Sequence, residues 1–306
     1  MYSAIGIPAT REASNGEAGG RGCSTLRSRR GKRQLSGVAG PIRLGTQGWN
    51  YGAWVGPFYP GGTRPADYLT VYARAFETVE VDSTFYATPP EKTVRGWAER
   101  VGERFTFALK MPREITHERR LAGCGDLVAE FTDRVRLLGP KLGPVLIQLG
   151  PDFGPEHRDV LERFLPLLPR DLRFAIEFRR HGWLGTDALE LLRAFRVALA
   201  LTDGPFVERE RMIALAAHPT ADFGYVRWMG PDRSIEDYSR VVADRQQELG
   251  MWAVGLAALA ARVTAVHGYF NNHFQGHSPA SARAMQALLG QRPVEPAVLA
   301  DQTELF

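Results

Sequence analysis

From Ile42 onward the chain alternates short apolar runs with longer stretches in which apolar residues return every three or four positions. Short runs rich in Val, Ile, Leu, Phe and Tyr fit buried strands, and the longer period fits helices that lay one apolar face on a sheet. The predicted strands are 42–46, 78–82, 105–109, 145–149, 173–178, 197–201, 225–228 and 265–270. Helical stretches between them include 66–76, 127–138, 157–168, 187–195 and a long one over 235–262. Strands regularly separated by helices predict an α/β protein of the TIM-type (β/α)8 barrel class, irregular in places, as one domain over 41–292 with a C-terminal tail at 293–306. An open doubly wound sheet is the competing arrangement. Its dinucleotide fingerprint is missing, because the first strand runs through Gly45-Thr-Gln-Gly48 into aromatics rather than into Gly-x-Gly-x-x-Gly.

Charge narrows the class of partner. The 306 residues carry a formal net charge of +4, but residues 1–40 alone hold seven basic and two acidic side chains, so the remainder is close to neutral at −1. That first segment is rich in Gly, Ser and Arg without apolar periodicity, which predicts a disordered extension. The cluster between Arg27 and Arg33 reads either as a tail for nucleic acid or an acidic partner, or as a plain solvated extension. A neutral body argues against nucleic acid as the partner of the barrel itself. Cys23 and Cys124 offer neither metal spacing nor a disulfide framework, as expected in a reducing cytosol. No apolar run approaches the roughly 20 residues of a membrane span, and the first residues lack the apolar core of a signal peptide, so a cytoplasmic location is expected.

Barrels of this class build their sites at the C-terminal ends of the strands. Those ends are polar here: Glu80 and Asp82 on the second strand, Lys110 on the third, Gln148 on the fourth, Glu177 and Arg179 on the fifth, Asp203 on the sixth, Arg227 on the seventh, and Asn271, Asn272 and His273 on the eighth. Alternation places Glu80 with Asp82, Glu177 with Arg179, and Asn271 with His273 on the barrel-facing side, while Asn272 points away and fixes the loop. Acids and cations converging in one pocket shift each other's pKa values and suit proton transfer. Glu80, Asp82, Lys110, Glu177 and Asp203 are therefore the candidate catalytic residues, with neighbouring carboxylates expected to keep Lys110 protonated. Trp49, His117, Gln148, Arg179, Trp183, Arg227, Asn271, Asn272 and His273 are candidate substrate contacts. The competing reading of the charges is a set of ion pairs that plugs the barrel interior.

Several ordered segments resemble one family: Gly45-Thr-Gln-Gly-Trp49, Phe58-Tyr-Pro60, the stretch from Thr78 through Asp82 to Tyr86, Phe105-Thr-Phe-Ala-Leu-Lys110 with His117, Gln148-Leu149, Ala175-Ile-Glu-Phe-Arg179 with Trp183, Tyr225-Val-Arg227 and Phe270-Asn-Asn-His273. Together they are similar to domain-of-unknown-function family 72, the YecE-like family. Gln47 stands where that pattern commonly has a small hydroxyl residue, and Met229 interrupts its Arg-x-His-Gly. The resemblance implies a barrel of the type shared by xylose isomerase and endonuclease IV, and implies no particular reaction. From the residues, the leading expectation is an enzyme, a hydrolase or isomerase, doing acid–base chemistry on a small hydroxyl-rich or phosphorylated ligand. A phosphodiester-cleaving protein and a non-catalytic ligand-binding barrel are the alternatives. No cofactor is expected, a single metal bound by the acids and His273 stays open, and the oligomeric state is undetermined by the sequence.

Overall fold

The computed structural model describes residues 39–301, so the predicted basic extension, apart from Ala39 and Gly40, lies outside the described residues, as do 302–306. Eight strands form one sheet: β1 (Ile42–Thr46), β2 (Thr78–Val81), β3 (Thr106–Lys110), β4 (Leu142–Gln148), β5 (Phe174–Glu177), β6 (Ala198–Asp203), β7 (Phe223–Trp228) and β8 (Ala265–Phe270). Their order is β1-β8-β7-β6-β5-β4-β3-β2, and every pairing is parallel. Helices follow the strands, among them α1 (Tyr68–Ala75), α2 (Glu91–Glu99), α3 (Gly125–Val135), α4 (Arg158–Phe164), α5 (Thr186–Phe195), α6 (Arg209–Leu215) and α7 (Gln246–Ala260). After β8 come α8 (Asn272–Gln275), α9 (Ser278–Leu288) and α10 (Pro296–Asp301), with Leu299 of α10 buried. The protein is thus a TIM-like α/β barrel, and no helix among the described residues is long and apolar enough to cross a membrane.

Two cores divide along the strand alternation. Outward residues such as Val79, Leu109, Leu199 and Leu201 pack under the helices. Inward residues form a smaller cluster in which Ala108, Ala175, Ala198 and Ala200 face Tyr225, Tyr269 and Phe223. Small residues on β3, β5 and β6 leave the volume that the large side chains of β7 and β8 occupy, as close packing requires.

The barrel closes between β1 and β2 with little ladder. One bridge pairs Gln47 with Glu80, and the Gly48 amide donates to the Glu80 carbonyl at 2.8 Å. Below that point the Tyr72 hydroxyl stands in the seam, accepting from the Thr46 amide at 2.9 Å and donating to the Thr78 carbonyl at 3.0 Å. Gly45 makes this possible, because a Cβ there would sit 2.1 Å from the Thr78 carbonyl oxygen.

The helix predicted over 235–262 begins only at Gln246. In the segment before it the side chains of Asp232, Asp237 and Asp244 accept from the amides of Ser234, Ser239 and Gln246. These local turns compete with the helix and win. The freed segment reaches back over the C-terminal face, where Tyr238 meets His273 and His277.

Candidate functional site

Arg227, on an inward position of β7, organises the barrel floor. Its Nε and Nη2 donate to Oε2 and Oε1 of Glu80 at 2.9 and 2.8 Å, and its Nη1 donates to Oε2 of Glu177. Tyr225 adds a bond to Glu80 Oε2 at 2.7 Å, and Arg179 Nε donates to Glu177 Oε1 at 3.2 Å. Glu80, Arg227, Glu177 and Arg179 therefore form a chain of alternating sign that runs from the sealed interior to the mouth. Burying these charges is tolerable only because each is paired. Burial alone would raise the Glu177 carboxyl, but Arg227, Arg179 and Lys110 outweigh it and hold the group ionised, below its usual range. Burial, with Glu80 alongside, pushes the Tyr225 phenol well up.

Lys110 and Asp82 are tuned the other way. Burial, followed by the charge of Arg227, lowers Lys110 to about 8, against the opposing pull of Glu177 and Glu80. The neighbouring carboxylates therefore do not raise this lysine, although at about 8 it still carries its proton at neutral pH. Both carboxylates are already bound to Arg227, so their pull is largely cancelled at the ammonium. Its Nζ instead lies 3.6 Å from the centre of the Phe85 ring. Asp82 moves up, through burial first and the Glu80 charge second, with Lys110 and Arg227 opposing. A carboxyl raised and an amine lowered in one neighbourhood are two groups whose proton affinities are drawn toward each other.

Above the floor lies a cavity of about 440 Å³. Asp82, Glu177, Arg179, Asn271 and His273 line it, which brings residues from β2, β5 and β8 to one place. Among the described residues Arg179 uses only Nε, neither Nη having a hydrogen-bonding acceptor, and the guanidinium lies 4.7 Å from the Phe206 ring centre. Asn271 accepts the His273 amide at 2.9 Å, capping α8, and donates to Gln47 Oε1 at 2.8 Å. Gln47 in turn donates to Met229 Sδ, so two of the positions at which the chain departs from the YecE-like pattern touch each other. Burial and then Arg233 lower the His273 imidazole, which shares a hydrogen bond with the Tyr238 hydroxyl at 3.1 Å. Gly230, at φ +81°, lets the loop after β7 lie against β8's exit, since a Cβ would fall 2.2 Å from the His273 carbonyl oxygen.

Other predicted residues stand elsewhere. Asp203 faces the helical layer, where Arg209 binds both its oxygens at 2.6 and 3.0 Å and the Trp252 indole donates at 2.7 Å. Trp183 is buried, stacked on Phe178 and Phe153, with its indole donating to the Phe153 carbonyl. Trp49 packs edge-on against Trp97 and Phe107 beside a second hollow that shares only Asp82 with the first. Gln148 and His117 contact each other at 3.3 Å, with the His117 ring against Phe85. Burial, then Lys110 and Arg179, lowers that imidazole. Asn272 is buried in α8, where its Oδ1 receives the Ser278 amide and hydroxyl.

Tyr86 and Met229 also line the cavity, as do Thr202, Phe206, Asp232 and Arg233, which sequence reasoning did not mark. Thr202 had a usable signal: Ala198, Ala200 and Thr202 alternate with Leu199, Leu201 and Asp203, so the apolar partners mark the outward face. The remainder come from loops, whose path no periodicity fixes. Among the described residues no three His, Cys, Asp or Glu side chains gather as a metal site.

Residues 43–304 match the family described as "Protein of unknown function DUF72". The UPF0759 protein YecE of Escherichia coli strain K12 is 36% identical over 138 residues, 45% of this chain and 48% of that protein, so the match spans about half the length of that relative. The UPF0759 protein YunF of Bacillus subtilis strain 168 is 26% identical over 81% of this chain and 94% of its own. Among solved structures, a DUF72 family protein from Thermotoga maritima superposes with a TM-score of 0.70 at 24% identity, over 82% of this chain and all of that one, which bears on the fold. A match running from β1 through α10, over a barrel of the same architecture, places this chain in the DUF72 family.

Proposed function

We propose that this protein is an enzyme that binds a small, anionic, hydroxyl-rich compound at the barrel mouth and moves a proton on it. The observation that carries this reading is Arg179, which faces the cavity with its two Nη groups unaccepted among the described residues while its Nε is fixed on Glu177. A guanidinium oriented by one arm and open on the other suits a carboxylate or phosphate. Arg233 adds a second cation to the same wall.

Glu177, kept ionised, accepts hydrogen bonds from substrate hydroxyls, and Asn271 with neutral His273 orients the far side. Asp82, its carboxyl raised by burial and Glu80, is the proton carrier. Negative charge that develops on a substrate oxygen is offset by Lys110 and Arg179. Glu80 and Arg227 have no free face in this scheme; they hold Glu177 and Arg179 in position. Asp203, Trp183, Trp49 and Asn272 take no part in it.

A thermal-shift panel of sugar acids, sugar phosphates and neutral polyols tests the reading. Anionic polyols should raise the Tm of the wild type by mass action, and Arg179→Met should abolish that shift. A larger shift from neutral polyols, or one that survives Arg179→Met, would remove Arg179 as the anion anchor. With a responding ligand in hand, Asp82→Asn should keep binding and lose turnover.

A further inference from the structure

The opposite face of the barrel holds a cluster that the proposed chemistry does not use. A hollow of about 520 Å³ opens where β1 begins and where α1 and α9 end, and it shares no lining residue with the cavity at the mouth. Arg43, Arg74 and Arg292 line it against a single acid, Glu77, which leaves a net charge of +2. Among the described residues Arg43 Nε and Arg74 Nη1 are buried from solvent without a hydrogen-bond partner, and so is the amide oxygen of Gln286 in the same hollow.

The ends of α1 and α9 explain in part why cations collect there, since a helix C-terminus favours positive charge. That field gives the guanidinium N–H groups no acceptor. A charged donor buried without one is costly, and such an atom in a folded protein calls for an explanation. Among the described residues no carboxylate lies within ion-pair distance of Arg43, Arg74 or Arg292, although Glu77 borders the hollow. The interior behind is not a source of negative charge either: Arg43 is registered with His267, whose imidazole burial, Arg43 and Arg173 together lower to about 3.

We infer that this hollow is a binding site for a small tetrahedral oxyanion bearing a hydroxyl, namely hydrogen phosphate, held by Arg43, Arg74 and Arg292 with Gln286 accepting from the hydroxyl. Planar guanidinium groups match the spacing of phosphate oxygens, and three of them around one hollow suit a doubly charged group. The unpartnered Gln286 oxygen sets hydrogen phosphate apart from sulfate, which has no proton to donate at neutral pH. The site is independent of the chemistry at the mouth.

Calorimetric titration of the full chain with sodium phosphate, and in parallel with sodium sulfate, tests this. The wild type should bind one phosphate here, and Arg74→Gln should weaken it about tenfold or more. Arg292→Ser, at an exposed position that leaves the core untouched, should weaken it several-fold, and Arg179→Met at the mouth should leave this binding unchanged. Sulfate should bind more weakly than phosphate in the wild type and equally in Gln286→Leu. Phosphate affinity that is the same in wild type, Arg74→Gln and Arg292→Ser overturns the site. Loss of binding in Arg179→Met with retention in Arg74→Gln overturns it as well, by assigning the phosphate to the mouth. Sulfate binding as tight as phosphate in the wild type overturns the hydroxyl contact and with it the named ligand class.

Discussion

Arg227 grips both carboxylate oxygens of Glu80 across the barrel interior, at 2.8 and 2.9 Å, with both side chains almost entirely out of solvent. Two consequences follow, one for stability and one for the site. The pair fills the interior that Ala108, Ala175 and Ala200 leave open. It also leaves Arg227 Nη1 to fix Glu177, so the mouth inherits its geometry from a sealed structural pair.

Arg227→Met should destabilise the fold by about 3 to 5 kcal/mol, because it strands two buried carboxylates. Pairing it with Glu80→Gln should recover part of that loss. Urea unfolding of the two single variants and the double variant measures the coupling, and additive losses would mean the bond contributes nothing specific.

Lys110 gives a pH-dependent prediction of definite sign. Its folded pKa, about 8, lies below the ordinary lysine value of 10.5, so between those values the unfolded chain holds a proton that the folded chain has released. Stability therefore rises with pH across that window, and below it the lysine imposes its full penalty, on the order of 3 kcal/mol. Lys110→Met should be more stable than wild type at pH 7, with the gap closing as the pH approaches 10.5. Thermal unfolding of both proteins from pH 6 upward checks this; a constant gap would place the lysine in an unperturbed setting.

Tyr72→Phe should cost about 1 to 3 kcal/mol, since it leaves the Thr46 amide and the Thr78 carbonyl without their shared partner. Amide exchange at Thr46 should quicken by a similar free energy, while exchange in the β7–β8 ladder should change only as much as global stability does. Equal acceleration at every strand would show that the seam opens only with the whole barrel.

Asp203→Asn separates a structural acid from a catalytic one. Both carboxylate oxygens are taken up by Arg209 and Trp252 behind the strand, so the substitution should reduce stability by about 1.5 to 3 kcal/mol and leave ligand affinity at the mouth unchanged. Ligand-induced Tm shifts in the variant, measured against its own baseline, decide the matter.

The staves were legible in the sequence because parallel strands buried on both faces read as apolar runs, and β1 and β8 came out with their observed bounds. Parity along β2 and β5 placed Glu80 and Glu177 inside. The same rule, applied to β6, would have set Asp203 outside and Thr202 inside, since Leu199 and Leu201 belong to the outer core. What escaped was carried by loops and by distant partners. Nothing local in the segment before Gln246 reveals that Tyr238 will meet His273, and nothing near Tyr72 reveals that its hydroxyl will serve two strands. The long helical period over 235–262 misled because Asp-x-Ser turns and apolar spacing coexist there, and the turns are satisfied first.

Glu80 precedes Arg227 by 147 residues. At roughly 5–20 residues per second, a ribosome leaves that carboxylate without its guanidinium for on the order of ten seconds. Throughout that interval the half of the barrel already made cannot dry its interior, because an unpaired carboxylate would have to be desolvated with it. The seventh strand is therefore a late key: its arrival lets the last water leave, and a chain that stalls short of it has a hydrated, open interior that a chaperone or protease can recognise.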